Sequence, residues 1–324
     1  MHNNKMLRSI FLSALVALVP LAHAQDYPTR PVRLVCANPP GGTADLLTRL
    51  LAKQFTELWK QSAVVDNRAG AAGMIGTDIV AKAVPDGYTI LVSAPGPLTT
   101  HMFLGEKLPY DPLKDLAPIT MLAVAPSVLM ASLKVPVKSV AELVAYAKAN
   151  PGKLSYASSG TGNPSHLHGA LLASLAQINI VHVPYKGGGP ALNDLVGGHI
   201  EIFFNPIPAM LPLVKAGRVR ALAVTSEKRF AGLPDVPTMA ESGFRQIGST
   251  VWYGALVPAK TPPALVKRLH ADFVNALKGP EVQESLRAGG AEAVGNSPRE
   301  FGAFLRTEIE TARKLLQASG AKRE

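Results

Sequence analysis

Short strands alternate with helices along most of the chain, and this alternation constrains the fold more than any other feature. The predicted strands are residues 32–37, 63–67, 89–93, 119–132, 154–158, 180–184, 200–205, 220–225 and 251–258. The predicted helices are residues 44–58, 73–83, 140–149, 164–175, 189–197, 208–216, 263–277, 280–288 and 298–319. Such alternation predicts an α/β fold in which mostly parallel sheets are flanked by helices.

Two segments interrupt this pattern and suggest crossings between two lobes. Residues 119–132 are long for one strand and contain Pro126, and residues 232–248 form a loop rich in proline, glycine and acidic residues. A chain of 324 residues is also long enough for two domains. We therefore expect a first lobe of residues 25–124 and 250–324, and a second lobe of residues 125–249.

The N-terminus has the three parts of a secretory signal peptide. Lys5 and Arg8 precede the apolar residues 10–21, and Ala22-His23-Ala24 follows as a small-x-small cleavage site. The apolar run is well short of the roughly 20 residues that a membrane-spanning helix needs. The sequence therefore predicts a signal peptide over residues 1–24, cleaved after Ala24, and export to the periplasm.

Charge and cysteine content narrow the class of partner. The net charge is +10, and it falls to +8 once Lys5 and Arg8 leave with the signal peptide. A positive surface favours anionic partners. The basic residues are dispersed without interleaved aromatic residues, so we expect no nucleic acid.

A single cysteine excludes an internal disulfide framework. The turn at residues 160–162 lacks the later glycine of a dinucleotide fingerprint and no Walker lysine follows a glycine turn, so we expect no cofactor.

Three polar, glycine-rich turns stand between a predicted strand and a predicted helix. They are residues 39–45, 67–73 and 158–165. Glycine lets the backbone approach a ligand, and a helix N-terminus presents free N–H groups that suit a carboxylate. Any one of them is more simply a tight turn, but three at equivalent positions favour binding, because ligands of open α/β sheets lie at the carboxyl ends of strands.

Six motifs then make the sequence familiar. They are Pro-Pro-Gly-Gly-Thr-Ala-Asp (39–45), Asn-Arg-Ala-Gly-Ala-Ala-Gly (67–73), Pro-Asp-Gly-Tyr-Thr-Ile-Leu (85–91), Ser-Ser-Gly-Thr-Gly-Asn (158–163), His-Val-Pro-Tyr-Lys-Gly-Gly-Gly-Pro-Ala (182–191) and Trp-Tyr-Gly (252–254). In this order they resemble the substrate-binding proteins of tripartite tricarboxylate transporters, the Bug family. The resemblance implies a two-lobed, type II-like periplasmic binding protein that is monomeric. Such a protein closes on a di- or tricarboxylate or an aromatic acid and delivers it to a tripartite-type membrane permease.

The predicted ligand-binding residues follow from the turns and the resemblance. They are Pro40, Gly41, Gly42, Thr43, Ala44, Asp45, Ala94, Ser158, Ser159, Gly160, Thr161, Gly162, His166, Tyr185 and Asn205. The resemblance further implies that backbone amides and water hold one carboxylate, without a mandatory arginine. Three residues depart from the family pattern: Asn205 replaces a common Asp, Cys36 a β-branched residue and Asn38 an aromatic one. An Asn in place of Asp weakens the case for an amine-bearing ligand.

Two other functions use some of the same residues. Ser158, Ser159, His166 and Asp194 supply the residue types of a serine hydrolase, but no G-x-S-x-G elbow is present, so we predict no enzyme. We also expect no metal site, since His166 and His168 are two positions apart and point to different sides of a helix. A ligand-sensing partner of a membrane receptor would need the same closed, loaded state, and this alternative stays open. Aliphatic diacids, aromatic acids and acidic amino acids all fit as ligands.

The signal peptide gives a direct prediction. The mature protein should begin at Gln25 and should appear in the periplasmic fraction of the cell. N-terminal sequencing of the exported protein is the measurement, and a mature chain that still carries Ala24 would contradict the cleavage site.

Overall fold

The computed structural model describes residues 27–105 and 107–321, so the predicted signal peptide lies outside the described residues. The strands are β1 (Val32–Cys36), β2 (Ala63–Asn67), β3 (Thr89–Ser93), β4 (Leu116–Ala131), β5 (Leu154–Ser158), β6 (Ile180–Pro184), β7 (Ile202–Pro206), β8 (Arg220–Val224), β9 (Thr250–Pro258) and β10 (Glu292–Ala293). The helices are α1 (Thr43–Trp59), α2 (Met74–Ala81), α3 (Val140–Ala149), α4 (Pro164–Ala176), α5 (Gly188–Gly197), α6 (Ile207–Lys215), α7 (Pro263–Leu277), α8 (Pro280–Ala288) and α9 (Pro298–Ser319).

The first lobe is built on the sheet β2-β1-β3-β9-β4, to which β10 adds by pairing with β4. β1 pairs in parallel with β2 and β3, whereas β9 runs antiparallel to β3 and β4. Helix α1 buries Leu47, Leu51 and Phe55 on one face of this sheet. These positions recur every four residues, so they form one apolar stripe of the helix.

The second lobe is built on β6, β5, β7, β4 and β8. β5 pairs in parallel with β6 and β7, and β4 runs antiparallel to β7 and β8. Buried apolar clusters lie on both faces of the sheet, one around Leu172 and Phe204 and the other around Phe203 and Met210. The predicted α/β class with two lobes is confirmed, and the antiparallel pairs all involve the crossing strands β4 and β9 or the short β10.

β4 belongs to both sheets. Residues 116–126 of this strand pair with β9 in the first lobe, and residues 127–131 pair with β7 and β8 in the second. The change of partner falls next to Pro126, which has no backbone N–H to give to a sheet. The strand therefore joins the two lobes without a loop. The boundaries predicted at residues 124 and 250 stay predictions.

Helix α9 connects the two lobes a second time. Its first half buries Phe301 and Leu305 against Trp252 of β9, and its last turns pack Leu315 against the apolar cluster of the second lobe. Ser297 and Glu300 form a capping box at its start. Across residues 27–105 and 107–321, no helix has both the length and the apolar character that crossing a bilayer requires.

Some local predictions are corrected. The first helix was predicted to begin at residue 44, but Gly42 is the N-cap residue and Thr43 is the first residue of the helix. The short strand β10 and the 3-10 turns at Gly96–Leu98 and Thr100–Phe103 were missed. Cys36 is buried, and burial raises the pKa of its thiol to about 11.

The packing of α9 on β9 predicts a large cost for Phe301→Ala. Phe301 is 0% exposed and meets Trp252 edge-on at 5.7 Å between ring centroids, so its removal leaves a cavity in the core. We expect a loss of about 3–5 kcal/mol in the free energy of unfolding, measured by urea titration. The control is Phe304→Ala, since Phe304 also meets Trp252 but is only half-buried. Equal losses in the two variants would contradict this account.

Candidate functional site

Four helices begin at one cleft between the lobes. α1 begins there from the first lobe, and α4, α5 and α6 begin there from the second. Each follows the carboxyl end of a strand, namely β1, β5, β6 and β7. None of the four has a side-chain cap: their N-cap residues are Gly42, Asn163, Gly187 and Pro206. Their first-turn N–H groups and positive dipole ends are therefore left for a ligand.

The cleft is small and its wall is polar. Its volume is about 40 Å³, which is room for little more than a carboxylate group or a few waters. The lining residues are Asn38, Gly42, Thr43, Ala44, Ala94, Ser159, Asn163, Pro164, Ser165, Gly188, Asn205, Pro206, Val251 and Tyr253. Both lobes contribute to this wall, so the two predicted turns at residues 39–45 and 158–165 converge on the same space.

The predicted site residues fall into three groups. Those that line the cleft are Gly42, Thr43, Ala44, Ala94, Ser159 and Asn205. Those that line a neighbouring cavity of about 400 Å³ between the lobes are Gly160, Thr161 and Tyr185. Those outside the wall of the cleft are Pro40, Gly41, Asp45, Ser158, Gly162 and His166.

Asp45 organises the first turn from behind the cleft. It is buried, and its carboxylate accepts hydrogen bonds from Gly41 N at 3.0 Å, from Arg49 at 3.0 Å and from Asn67 Nδ2 at 2.9 Å. Burial alone would raise the pKa of Asp45, but these hydrogen bonds hold it below its usual value. The carboxylate is therefore charged and locks the backbone of residues 41–45 in place.

Ser158 and two histidines hold the second turn from behind. The Ser158 hydroxyl lies 2.7 Å from His182 Nε2 and accepts a hydrogen bond from Gly160 N at 3.2 Å. His166 Nδ1 accepts one from Gly162 N at 3.1 Å, and the two imidazoles stack at 4.0 Å. Burial lowers the pKa of His182 to about 4, so the ring is neutral at physiological pH. These residues shape residues 158–162 rather than face the cleft.

Asn163 is a lining residue that the prediction of the site left out. Its Nδ2 donates to Ser159 O at 3.0 Å, whereas its Oδ1 is buried with no hydrogen-bond partner in the described part of the chain. Next to it, Ser159 N donates to Ser165 Oγ at 2.9 Å, and the two hydroxyls are 3.0 Å apart. Asn163 stands directly before Pro164, which begins a helix, and this position could have indicated Asn163 as a site residue.

Other missed lining residues come from three places in the fold. Asn38 precedes the first turn, Gly188 and Pro206 stand at the starts of α5 and α6, and Val251 and Tyr253 belong to the crossing strand β9. Tyr253 lies in the Trp-Tyr-Gly motif, and its buried hydroxyl is close to that of Thr43. Burial raises the pKa of Tyr253, so its hydroxyl stays protonated and is available as a donor.

The residue types of a hydrolase do not assemble into a triad. Asp194 accepts a hydrogen bond from the Tyr185 hydroxyl at 2.7 Å, and Ser158 is 0% exposed. A serine nucleophile must reach its substrate, which a fully buried hydroxyl cannot do. The arrangement is suited to binding an anion and not to covalent chemistry.

Glycines lie where the two lobes touch across the cleft. A Cβ atom at Gly187 would overlap the ring of Pro39, one at Gly189 would lie 2.5 Å from Pro40 O, and one at Gly160 would lie 2.6 Å from Ala72. We call Gly160, Gly187 and Gly189 the glycine seam. Side chains at these positions would hold the lobes apart, so the lobes are in contact along this seam.

Comparisons with known proteins agree with this geometry. Residues 47–321 match the family described as "Tripartite tricarboxylate transporter family receptor". Protein BugT of Bordetella pertussis (strain Tohama I) is 36% identical over 314 residues, which cover 97% of this chain and 96% of that protein. The family resemblance seen in the motifs is thereby confirmed.

Two solved structures share the fold closely. R. palustris Rpa4515 with adipate superposes with a TM-score of 0.88 at 36% identity, covering 91% of this chain and 99% of that one. MatC from Rhodopseudomonas palustris with bound malate has a TM-score of 0.85 at 30% identity, covering 90% and 100%. The coverage extends over both lobes.

The buried histidines predict how stability depends on pH. Burial lowers the pKa of His168 and of His182 to about 4 from 6.5, so the unfolded chain takes up protons at a higher pH than the folded protein does. The contribution of these histidines to the free energy of unfolding is therefore fully present above pH 6.5 and is lost as the pH falls towards about 4. Between these values, each histidine should lower the free energy of unfolding by about 1.4 kcal/mol per pH unit.

The measurement is the urea midpoint at a series of pH values. His168 hydrogen-bonds Ser249 through Nε2 at 2.6 Å, and His168→Gln should give a shallower decline than the wild type. The exposed His199 provides the control, His199→Gln. A decline of wild-type steepness in His168→Gln would contradict the role assigned to this histidine.

Proposed function

The chain belongs to the tripartite tricarboxylate transporter receptor family, and from this premise we propose that it captures a small carboxylate in the cleft between its lobes. It is a solute-binding protein and not an enzyme, like the structures that it resembles. The two solved structures named above contain adipate and malate. The ligand proposed here shares with these acids a carboxylate head.

The convergence of four uncapped helix N-termini carries the proposal. A carboxylate accepts hydrogen bonds and donates none, so it matches a wall of N–H groups and hydroxyls. Charge-assisted hydrogen bonds are about twice as strong as neutral ones, and they offset the loss of the solvation of the ion. Thr43, Ser159 and Ser165 add hydroxyls from both lobes. The head therefore needs no arginine in contact with it.

Asn205 bears on the class of ligand. It lines the cleft at the position where the family resemblance implies a common Asp, and its amide is neutral at every pH. A ligand ammonium would meet no carboxylate from this position. We therefore propose an acid without an amine group next to its carboxylate.

Capture would proceed by closure of the two lobes. The proposed lobes, residues 25–124 with 250–324 and residues 125–249, are joined through β4 and β9, and each supplies part of the cleft wall. A carboxylate that binds both walls favours the closed state by its differential affinity for it. We further propose that the exported protein works as a monomer in the periplasm, after cleavage at Ala24, and delivers its ligand to a tripartite-type membrane permease.

Gly42→Val is the sharpest test of the anion site. Gly42 has φ −87° and ψ 167°, which any residue adopts, and a Cβ atom there meets only Pro39 O at 3.9 Å. The variant should therefore fold as the wild type does, while its methyl groups occupy a cleft of about 40 Å³. We expect carboxylate binding to be lost, as measured by a thermal-shift screen and calorimetry. A folded variant of unchanged affinity would place the site elsewhere.

Ser159→Ala tests the second lobe. A hydrogen bond to a charged carboxylate is worth about 1.5–3 kcal/mol, so affinity should fall roughly tenfold to a hundredfold, while the midpoint of unfolding without ligand changes little. The control is Thr161→Ala, since Thr161 belongs to the same turn but lines the neighbouring cavity. Loss of affinity in Thr161→Ala with none in Ser159→Ala would move the anion into that cavity.

A further inference from the structure

An apolar groove opens beside the cleft and is much larger than it. The groove has a volume of about 440 Å³, within the range of about 300–1,000 Å³ typical of pockets for small ligands. It lies between α1 of the first lobe and α6 of the second, and residues of α8 complete its wall. Its wall is mainly aliphatic, with Leu46, Leu47, Leu50, Leu211, Pro212 and Leu286.

The groove and the cleft share part of their walls. Thr43 and Tyr253 line both, whereas the neighbouring cavity at Thr161 has no lining residue in common with the cleft. From Thr43 the groove follows one face of α1 through Leu46 and Leu50, which are spaced by three and four residues. The two spaces therefore adjoin at Thr43 and Tyr253, and a ligand whose head binds the helix N-termini would reach the groove by passing between these two side chains.

The two cationic side chains that line the groove, Arg49 and Lys53, are already paired with carboxylates. Arg49 pairs with Asp45 at 3.0 Å, and Lys53 pairs with Glu281 at 2.7 Å. A second carboxylate in the groove would compete with these acidic partners and would lie against aliphatic side chains. An uncharged, apolar group instead removes its own surface and that of the leucines from water.

The cleft and the groove therefore divide the ligand into a head and a body. The cleft has space for a carboxylate and for little else, and the space of the groove is apolar. We propose that the groove binds the apolar body of the ligand, so that the substrates of this protein are monocarboxylic acids with an aliphatic chain or an aromatic ring. This inference rests on the proposed function, because it needs the carboxylate head in the cleft.

Straight-chain monocarboxylates from acetate to octanoate provide the test. With the purified protein in calorimetry, each added methylene that enters the groove should lower the Kd about fourfold, until the groove is full. Leu46→Gln should weaken octanoate about tenfold and leave acetate within about twofold, because Leu46 lines the groove and not the cleft. The matched control is Leu58→Gln, since Leu46 and Leu58 are both 41% exposed on α1 and Leu58 is outside the groove.

The outcomes separate the body site from the head site. If short acids or diacids bind and affinity does not rise with chain length, the groove is not part of the site, and capture of a carboxylate stands. If chain-length dependence is lost in Met74→Gln and kept in Leu46→Gln, the body lies in the neighbouring cavity, which Met74 lines, and the assignment is wrong. If no carboxylate of either kind binds, the proposed function fails and the inference fails with it.

Discussion

The unpaired N–H groups at four helix starts are the constraint on which the rest of the site depends. A buried N–H without a partner costs free energy, and helices α1, α4, α5 and α6 meet the cleft with glycine, asparagine or proline as their N-cap residues and with no side-chain cap. Helices α3 and α9, which begin away from the cleft, are capped by Ser139 and Ser297. Helices α2, α7 and α8 also begin without a side-chain cap. The cleft helices differ from these in that their starts converge on one space, where an anion or water can accept hydrogen bonds from their N–H groups.

The residues behind the cleft keep these helix starts in position. Asp45 fastens the first turn through three donors, and Ser158 with His166 and His182 fastens the second. Such supporting groups let the wall itself consist of backbone and small side chains. The first turn follows β1 of the first sheet and the second turn follows β5 of the second sheet, and β4 joins these two sheets.

The sequence predicted the elements well and the site in part. Helix bounds such as Val140–Ala149 and Pro298–Ser319 were predicted correctly because serine caps, proline at the first helical position and terminating turns are local signals. Which residues of a turn face the cleft depends on long-range packing, so Asp45 and His166 were placed in the wall although they support it. Tyr253 and the groove between α1 and α6 involve elements far apart in the chain, and no local pattern indicates such neighbours.

The glycine seam has a consequence for the empty protein. Where Gly187 and Gly189 meet Pro39 and Pro40, the lobes touch through backbone atoms and proline rings, so closing buries little apolar surface at these points. Contacts of this kind permit a tight fit but supply little adhesion. Under the proposed function, the bound acid would supply the free energy of closure that these contacts lack. A membrane partner that recognises only the closed conformation would thereby distinguish the loaded protein from the empty one by shape, without contacting the ligand.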